Sequence, residues 1–339
     1  MTVKNREVHL AARPQGEPVA TDFRIVTADV PEPRSGQVVV RNDWISVDPY
    51  MRWRMNDVKS YLPSFRLDAP MEGGAVGTVV ASGVDSIPIG ATVLHGLGWR
   101  EYTLVNERYV QVVDAEIAPA SSYLGSLGMP GLTAYAGLKE VAPVRPGDTV
   151  FISGAAGAVG VIACRVAKHL GAERVIGSAG GPEKARRLIE EFGYDDAIDY
   201  RAGKVGVQLR DNAPDGIDVY FDNVGGDHLE AAIGAMREHG RIALCGAISQ
   251  YNDTEPAPGP KNLTLAITRR LSLRGFIVFD HQHLADEYVA LAAGWLRDGS
   301  LATPTTIVDG IDNAVDGFLG LLHGANTGKM LVRLTDGAL

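Results

Sequence analysis

From Thr149 onward, short apolar runs alternate with amphipathic segments, and this alternation constrains the fold more than any other feature of the sequence. Strands that are separated by helices indicate a parallel sheet with helices on both faces. The helix after the first run is predicted from apolar residues at steps of 3, 4 and 4 between Val159 and Leu170, ending at Gly171. The pattern therefore predicts an α/β fold with a doubly wound parallel sheet. The six runs are residues 150–152, 174–176, 197–199, 219–221, 242–244 and 276–278.

The first part of the chain has a different character, because short β-branched runs and turn residues dominate it and helical periodicity is weak. Residues 38–41 and 77–80 are predicted strands. Near the end, a predicted helix at about 313–323 precedes a strand at 330–334. Since a strand needs a sheet, this tail is assigned to the mostly β domain. The predicted domains are 1–124 with 306–339, and 125–305 for the parallel sheet.

Charge and composition exclude several classes of protein. The 339 residues carry 32 Lys and Arg against 41 Asp and Glu, a formal charge of −9. An acidic chain has no basic excess with which to release counterions from nucleic acid. No apolar run reaches the ~18–20 residues of a membrane span, and no apolar secretory segment follows Met1. We therefore expect a cytoplasmic protein that binds neither nucleic acid nor membrane.

The strongest local signal is the turn that carries Gly154, Gly157 and Gly160, between a predicted strand and a predicted helix. Glycines at such a turn let backbone N–H groups approach a pyrophosphate, and the helix N-terminus favours its negative charge. The spacing differs from the usual Gly-x-Gly-x-x-Gly, so the strand–turn–helix context carries the interpretation. The turn predicts a nucleotide-binding domain.

The end of the second predicted strand indicates which cofactor binds. NAD-binding proteins usually place an acid ~20 residues beyond the glycines, where it bonds the ribose 2′-hydroxyl. Residues 175–180 contain no acid, and Lys184 follows on the next helix. A missing acid and a nearby ammonium favour NADP, although Lys184 beside Glu183 could also be an ordinary solvated lysine.

Two further strand ends carry polar or small residues. Asn223 precedes two glycines after the fourth strand, and the segment from Cys245 to Tyr251 follows the fifth. Ligands in such sheets lie beyond the carboxyl ends of the strands. Each segment alone could be a simple turn, but together they predict a cofactor-binding edge.

Metal and serine-nucleophile chemistry have little support in the sequence. The two cysteines, Cys164 and Cys245, lie in apolar runs and are predicted to be buried. His281 and His283 have no cysteine or pair of acids beside them in the sequence, so we interpret them as part of a surface loop. No Gly-x-Ser-x-Gly elbow is present. No metal site is predicted.

Five stretches in order carry a family resemblance: residues 45–52, 128–135, 155–160, 220–226 and 245–252. With Gly328 and Lys329, they resemble the medium-chain dehydrogenase/reductase superfamily. Within it they are similar to the zinc-independent prostaglandin reductase branch, which includes leukotriene hydroxydehydrogenases and bacterial curcumin-reductase-like enzymes. The resemblance implies a Rossmann domain, a GroES-like domain, a site in the cleft between them, and a homodimer. It also implies NADPH-dependent reduction of a carbon–carbon double bond conjugated to a carbonyl group.

The same resemblance implies site residues. Zinc-dependent relatives bind metal where this chain has Ser46 and Met71, so the carbonyl must be polarised without zinc. Around Asn326, Ala325 and Thr327 depart from the usual flanking residues. The implied cofactor-binding residues are Ala156, Gly157, Ala158, Val159, Lys184, Tyr200, Asn223, Cys245, Gly246, Ala247, Ile248, Ser249, Phe276, Ile277, Val278 and Asn326.

The mechanistic hypothesis follows from the missing metal. Hydride transfer to the β-carbon of an enone or enal leaves negative charge on the carbonyl oxygen, which hydrogen-bond donors must stabilise. Tyr251 and the nicotinamide ribose hydroxyl are the candidates, and Tyr50 and Met129 are predicted to shape the substrate cleft. Two alternatives stay open: an NADPH quinone reductase of the same superfamily, and a noncatalytic NADPH-binding protein.

Overall fold

The computed structural model describes residues 4–335, which divide into two compact units. The first combines the described residues before Gly125 with those from Thr305 onward, and the second spans Gly125–Pro304. Within residues 4–335, every helix is too short or too polar to traverse a lipid bilayer.

The first unit begins as a mostly antiparallel β structure, as its β-branched runs predict. β3 is its central strand: it pairs antiparallel with β4 from Val38 to Ile45 on one side, and its first half pairs antiparallel with β6 on the other. β1 and β2 form a separate antiparallel pair. The elements of this stretch are β1 (Lys4–Leu10), β2 (Phe23–Asp29), β3 (Gln37–Val47), α1 (Tyr50–Arg54), β4 (Ala75–Ser82), β5 (Thr92–His95), β6 (Tyr102–Asn106) and β7 (Gln111–Val112), with 3₁₀ turns at Ala20–Asp22, Glu107–Tyr109 and Ala120–Leu124.

The second unit alternates strands and helices. A π-helical turn, Gly137–Val141, continues α2, and 3₁₀ segments cover Ile248–Gln250 and Val278–Leu284. The other elements are α2 (Met129–Ala136), β8 (Thr149–Ile152), α3 (Ala158–His169), β9 (Arg174–Ala179), α4 (Pro182–Glu190), β10 (Asp196–Asp199), α5 (Val205–Asn212), β11 (Ile217–Asp222), α6 (Gly226–Ala235), β12 (Met236–Leu244), α7 (Leu265–Thr268), β13 (Ser272–Gly275) and α8 (Ala285–Arg297).

These six strands of the described chain form one parallel sheet in the order β10-β9-β8-β11-β12-β13. The order reverses between β8 and β11, which is the arrangement of a Rossmann dinucleotide-binding sheet. Phe151 of β8 and Tyr220 of β11 stack with ring centroids 5.1 Å apart in the buried core. The predicted fold class, a doubly wound sheet plus a mostly β domain, is confirmed.

One predicted strand is wrong. Residues 276–278 were expected to form the sixth strand, but β13 is Ser272–Gly275, and Val278 begins a 3₁₀ segment. β13 lies at the edge of the sheet, and its residues are exposed or half-buried. An edge strand has no continuous apolar run. The strand was therefore predicted at the apolar residues that follow β13.

The chain then returns to the first unit with β14 (Thr305–Asp309), a 3₁₀ turn (Ile311–Asn313), α9 (Ala314–Leu322) and β15 (Lys329–Arg333). β15 pairs antiparallel with the second half of β3, and β14 pairs parallel with β15. The tail therefore completes the β sheet of the first unit. Phe318 of α9 is fully buried and packs edge-on against Phe23 and Trp99, with ring centroids about 6 Å apart.

Phe318→Ala should destabilise the protein by ~3–5 kcal/mol, because it leaves a cavity among well-packed rings. Phe279→Ala is the matched control: this ring is 49% exposed, and its loss should change stability by no more than ~0.5 kcal/mol. Urea denaturation of both variants measures the difference. Equal denaturation midpoints for the two variants would show that Phe318 of α9 does not stabilise the core of the first unit.

Candidate active site

The buried carboxylate of Asp222, the last residue of β11, organises the carboxyl edge of the parallel sheet. Its Oδ1 accepts hydrogen bonds from the backbone N–H groups of Val224 and Gly225, at 2.9 and 2.8 Å. The hydroxyls of Tyr220 and Ser153 lie 2.7 and 3.2 Å from the same oxygen. Burial raises the pKa of Asp222, and these hydrogen bonds oppose that shift.

The glycine turn between β8 and α3 is tied directly to this carboxylate. Gly154 has φ of 60°, and a Cβ on Gly160 would lie 2.4 Å from the carbonyl oxygen of Gly154. Asn223 donates from its side chain to the Ser153 carbonyl at 2.8 Å and from its backbone to the Ser153 hydroxyl at 3.0 Å. The turn is thus fixed by the end of the neighbouring strand.

The geometry of this turn fits a diphosphate. α3 begins after Gly157, whose position as N-cap provides no side-chain acceptor for the first helical N–H groups. Those N–H groups have no partner within the helix, and the helix dipole favours an anion there. The predicted residues Ala156 to Val159 occupy this place.

A positive corner lies at the end of β9. The pKa of Lys184 is lowered by burial and by the charges of Arg201 and Arg187, so these cations lie near one another. The guanidinium of Arg201 is 6.0 Å from the ring centroid of Tyr200. Several cations in one corner suit the adenosine 2′-phosphate that the sequence analysis predicts.

Arg201 was missed in the sequence, although it directly follows Tyr200. The carboxylate of Asp199 accepts the backbone N–H groups of Gly181 and Arg201, at 2.8 and 2.9 Å, and so fixes this corner. A Cβ on Gly180 would lie 2.6 Å from the hydroxyl oxygen of Tyr200, which explains the glycine.

His228 of α6 contacts two residues of the same corner. Its Nε2 lies 2.9 Å from the Ser178 hydroxyl, and its ring packs edge-on against Tyr200 at 5.4 Å. Burial lowers the pKa of His228 to about 4. The ring is therefore neutral at physiological pH.

The segments after β11 and β12 are hydrogen-bonded to each other. The backbone N–H groups of Cys245 and Gly246 donate to the Asp222 carbonyl at 2.9 and 3.0 Å. The Ser249 hydroxyl donates to the Val224 carbonyl at 2.6 Å, and the backbone N–H of Ile248 donates to the Asn223 carbonyl at 3.3 Å. The structure brings Asn223 and the predicted segment from Cys245 to Ser249 together at one edge.

Tyr251 lies beside this edge. Its hydroxyl oxygen is 3.4 Å from the backbone nitrogen of Ala247, and a Cβ on Gly246 would lie 3.3 Å from it. Residues 252–264, which include Pro256, Pro258, Gly259 and Pro260, form neither helix nor strand. Burial raises the pKa of the Cys245 thiol to about 12, so this cysteine is a neutral thiol here.

The remaining predicted residues divide between the two units. In the second unit, residues 276–278 follow the carboxyl end of β13, and Phe276 packs edge-on against Phe221 with ring centroids 6.2 Å apart. Met129 begins α2. In the first unit, Tyr50 begins α1, and burial raises its pKa. Asn326 donates from its side chain to the Gly328 carbonyl at 2.8 Å. The roles of Tyr50 and Met129 in the substrate cleft, and of Asn326 toward the cofactor, stay predictions.

Comparisons with known proteins show which family the chain belongs to. One family model, described as the N-terminal domain of oxidoreductase, matches residues 6–113, and another, zinc-binding dehydrogenase, matches residues 158–294. The chain is 40% identical to the NADP(+)-dependent 2-alkenal reductase of Nicotiana tabacum over 98% of each chain. It is 39% identical to the NADPH-dependent curcumin reductase of Escherichia coli strain K12, covering 98% of this chain and 97% of that one.

A solved structure shares the whole architecture. The crystal structure of CurA from Vibrio vulnificus in complex with NADPH matches with a TM-score of 0.92 at 38% identity, covering 98% of this chain and 100% of that one. The fold and the glycine-rich sheet edge thus define an oxidoreductase built on a dinucleotide-binding domain. The chain belongs to the zinc-independent prostaglandin reductase branch of the medium-chain dehydrogenase/reductase superfamily.

The residues at the zinc position of other superfamily members do not fit a catalytic zinc. Ser46 donates its hydroxyl to the carboxylate of Asp48, and Met71 is fully buried. The buried ammonium of Lys329 donates to Asp48 at 2.7 Å and to the Val47 carbonyl at 2.8 Å. Zinc sites use thiolate, imidazole and carboxylate ligands. The Ser46 hydroxyl and the Met71 thioether are not among these ligands, and the Asp48 carboxylate is already paired with Lys329.

Stability should fall as the pH drops from 6.5 to 4, in part because of His228. The unfolded chain binds a proton on this ring near pH 6.5, whereas the folded chain binds it only near pH 4. The loss should reach roughly 3 kcal/mol at pH 4. His95, whose pKa burial lowers to about 3, adds a second loss of the same sign.

Melting temperatures measured across this pH range should decline less steeply in His228→Gln, which keeps a polar group near Ser178. The control is His323→Gln, whose side chain is 65% exposed and which should keep the wild-type slope. An unchanged slope in His228→Gln would mean that this ring titrates alike in both states.

Proposed function

We propose that the protein reduces the carbon–carbon double bond of α,β-unsaturated ketones or aldehydes, with NADPH as the hydride donor. The observation that carries the proposal is the similarity, along almost the whole chain, to a 2-alkenal reductase and a curcumin reductase that use this cofactor. The proposal includes the remaining predictions: a homodimer in the cytoplasm that acts on a small-molecule substrate.

The chain offers a matching place for each part of the cofactor. The turn around Gly157 would hold the diphosphate, and Lys184, Tyr200 and Arg201 would hold the adenosine phosphate. The segments that begin at Asn223 and Cys245 would face the nicotinamide half, because they follow the central strands at the same edge. Bound NADPH supplies the hydride that reduces the β-carbon.

Tyr251 is the proposed hydrogen-bond donor to the substrate. When the β-carbon gains hydride, negative charge develops on the carbonyl oxygen, and a preorganised donor stabilises it. A phenol can donate one hydrogen bond while its oxygen accepts another. The contact with the Ala247 backbone and the packing beside Gly246 hold the hydroxyl in place before substrate binds. In the proposed reaction, Tyr251 thus replaces the Lewis acid of zinc-dependent relatives.

Tyr251→Phe should lower kcat/KM for an enal or enone by ~100–1000-fold, which corresponds to the loss of one oxyanion donor. NADPH affinity should stay near that of the wild type. The measurement is NADPH oxidation under steady-state conditions, together with fluorescence titration of NADPH. Tyr109→Phe, at a tyrosine that is 61% exposed, is the matched control. Unchanged turnover in Tyr251→Phe would remove this residue from the mechanism.

Lys184→Ala should raise the KM for NADPH by ~10-fold or more while leaving that for NADH almost unchanged, because only NADPH carries the 2′-phosphate. Arg201→Ala should act in the same direction. Lys168→Ala is the matched control, since this lysine pairs with Asp195 on the surface, at 2.8 Å. A parallel loss for both cofactors would place Lys184 away from the phosphate.

A substrate panel tests the reaction class. Enals, enones and quinones are supplied with NADPH, and NADH serves as the cofactor control. Turnover of enals or enones with saturation of the double bond supports the proposal. Turnover of quinones alone, or NADPH binding without turnover across the panel, contradicts it.

A further inference from the structure

Three potential metal ligands meet on the second unit, and one of them is far from the other two in the sequence. Glu140 lies in the π-helical turn that continues α2, and His281 and His283 lie in the 3₁₀ segment before α8. Their nearest ligand atoms all lie within 4.8 Å of one another. The acid that the sequence analysis did not find beside these histidines comes from 141 residues away.

Each oxygen of one carboxylate faces a different imidazole. Glu140 Oε2 is 2.7 Å from His281 Nδ1, and Glu140 Oε1 is 2.9 Å from His283 Nε2. Residues two apart on a regular helix do not face the same side. Here the helical segment is interrupted at His281, where φ is −116° and ψ is 23°, and both rings can therefore point at Glu140.

Neighbouring side chains support this arrangement, and one side of it is open to solvent. The ring of His281 packs edge-on against Phe276, with ring centroids 5.9 Å apart, and the His281 side chain is only 14% exposed. The side chain of His283 is 59% exposed, which leaves one side open to solvent. The site is therefore accessible and has one anchored and one adjustable imidazole.

The nearby cations bind groups other than the Glu140 carboxylate. Arg274 donates to the backbone carbonyls of Glu140 and Val141, at 3.0 and 3.3 Å. Lys139 pairs with Glu287, at 2.5 Å. The Glu140 carboxylate is thus shared by the two imidazoles.

We propose that Glu140, His281 and His283 form a binding site for a divalent transition metal, with Zn²⁺ as the preferred ion. Two imidazoles and one carboxylate are a ligand set that binds Zn²⁺ and leaves one position for water. Each ring nitrogen that faces Glu140 presents its lone pair to the metal, and the ring proton moves to the other nitrogen. The metal ties the turn after α2 to the segment before α8.

The test uses the untagged full-length protein after removal of metals with EDTA. Isothermal titration with ZnCl₂ should show one saturable site per chain, and Zn²⁺ should raise the melting temperature. His283→Ala and Glu140→Gln should each weaken Zn²⁺ binding by at least ~10-fold, since even outer partners of metal ligands contribute that much. His283 is largely exposed, so its variant should fold normally.

His323→Ala is the matched control. His323 Nε2 pairs with Glu17 at 2.5 Å, but as a single histidine beside a carboxylate. Its loss should leave the Zn²⁺ affinity unchanged. Two results overturn the proposal: the wild type shows no saturable Zn²⁺ binding, or both His283→Ala and Glu140→Gln bind Zn²⁺ as tightly as the wild type. Either result would mean that the three side chains only form hydrogen bonds with one another.

Discussion

The candidate site depends on one buried carboxylate. Removing a charge from water is unfavourable unless hydrogen bonds replace its hydration. Asp222 meets this requirement with backbone and hydroxyl donors that belong to the strand ends themselves. Its own carbonyl binds the backbone of Cys245 and Gly246. The same residue therefore joins the ends of β8, β11 and β12. The cost of burying its carboxylate is offset only when the ends of β8 and β11 have their native geometry.

Preorganisation of this edge has a functional consequence. A turn that must open its backbone to a diphosphate cannot rely on side-chain packing for its shape, because Gly154, Gly157 and Gly160 have no side chains. The hydrogen bonds from Asn223 to Ser153 supply the missing constraint from the neighbouring strand. Cofactor binding then incurs little ordering entropy at this position.

The sequence predicted most of the fold because strands buried on both faces are continuous apolar runs, and the four inner strands of the parallel sheet are of this kind. It failed at β13, an edge strand whose residues are exposed or half-buried, and Phe276 after this strand packs against Phe221. At the candidate site, the sequence indicated the glycine turn and Lys184, since local spacing encodes both. It did not indicate Arg201, or Glu140 as a partner of His281 and His283, because such contacts depend on where separate segments meet in space.

The ion pair between Lys329 and Asp48 bears on the chemistry proposed for this chain. A metal at this position would supply both a counter-charge for buried acidic groups and a Lewis acid for the substrate. The chain provides the first through an ammonium that is itself buried and bonded to Asp48 and Val47. That ammonium is committed to the carboxylate, so the second task passes to a neutral donor. In the proposed reaction this donor is Tyr251, and a single oriented hydroxyl of this kind contributes ~3–4 kcal/mol to transition-state stabilisation. In the proposed reaction the remainder comes from positioning the alkene against the hydride donor, and the rigidity of the sheet edge would contribute to that positioning.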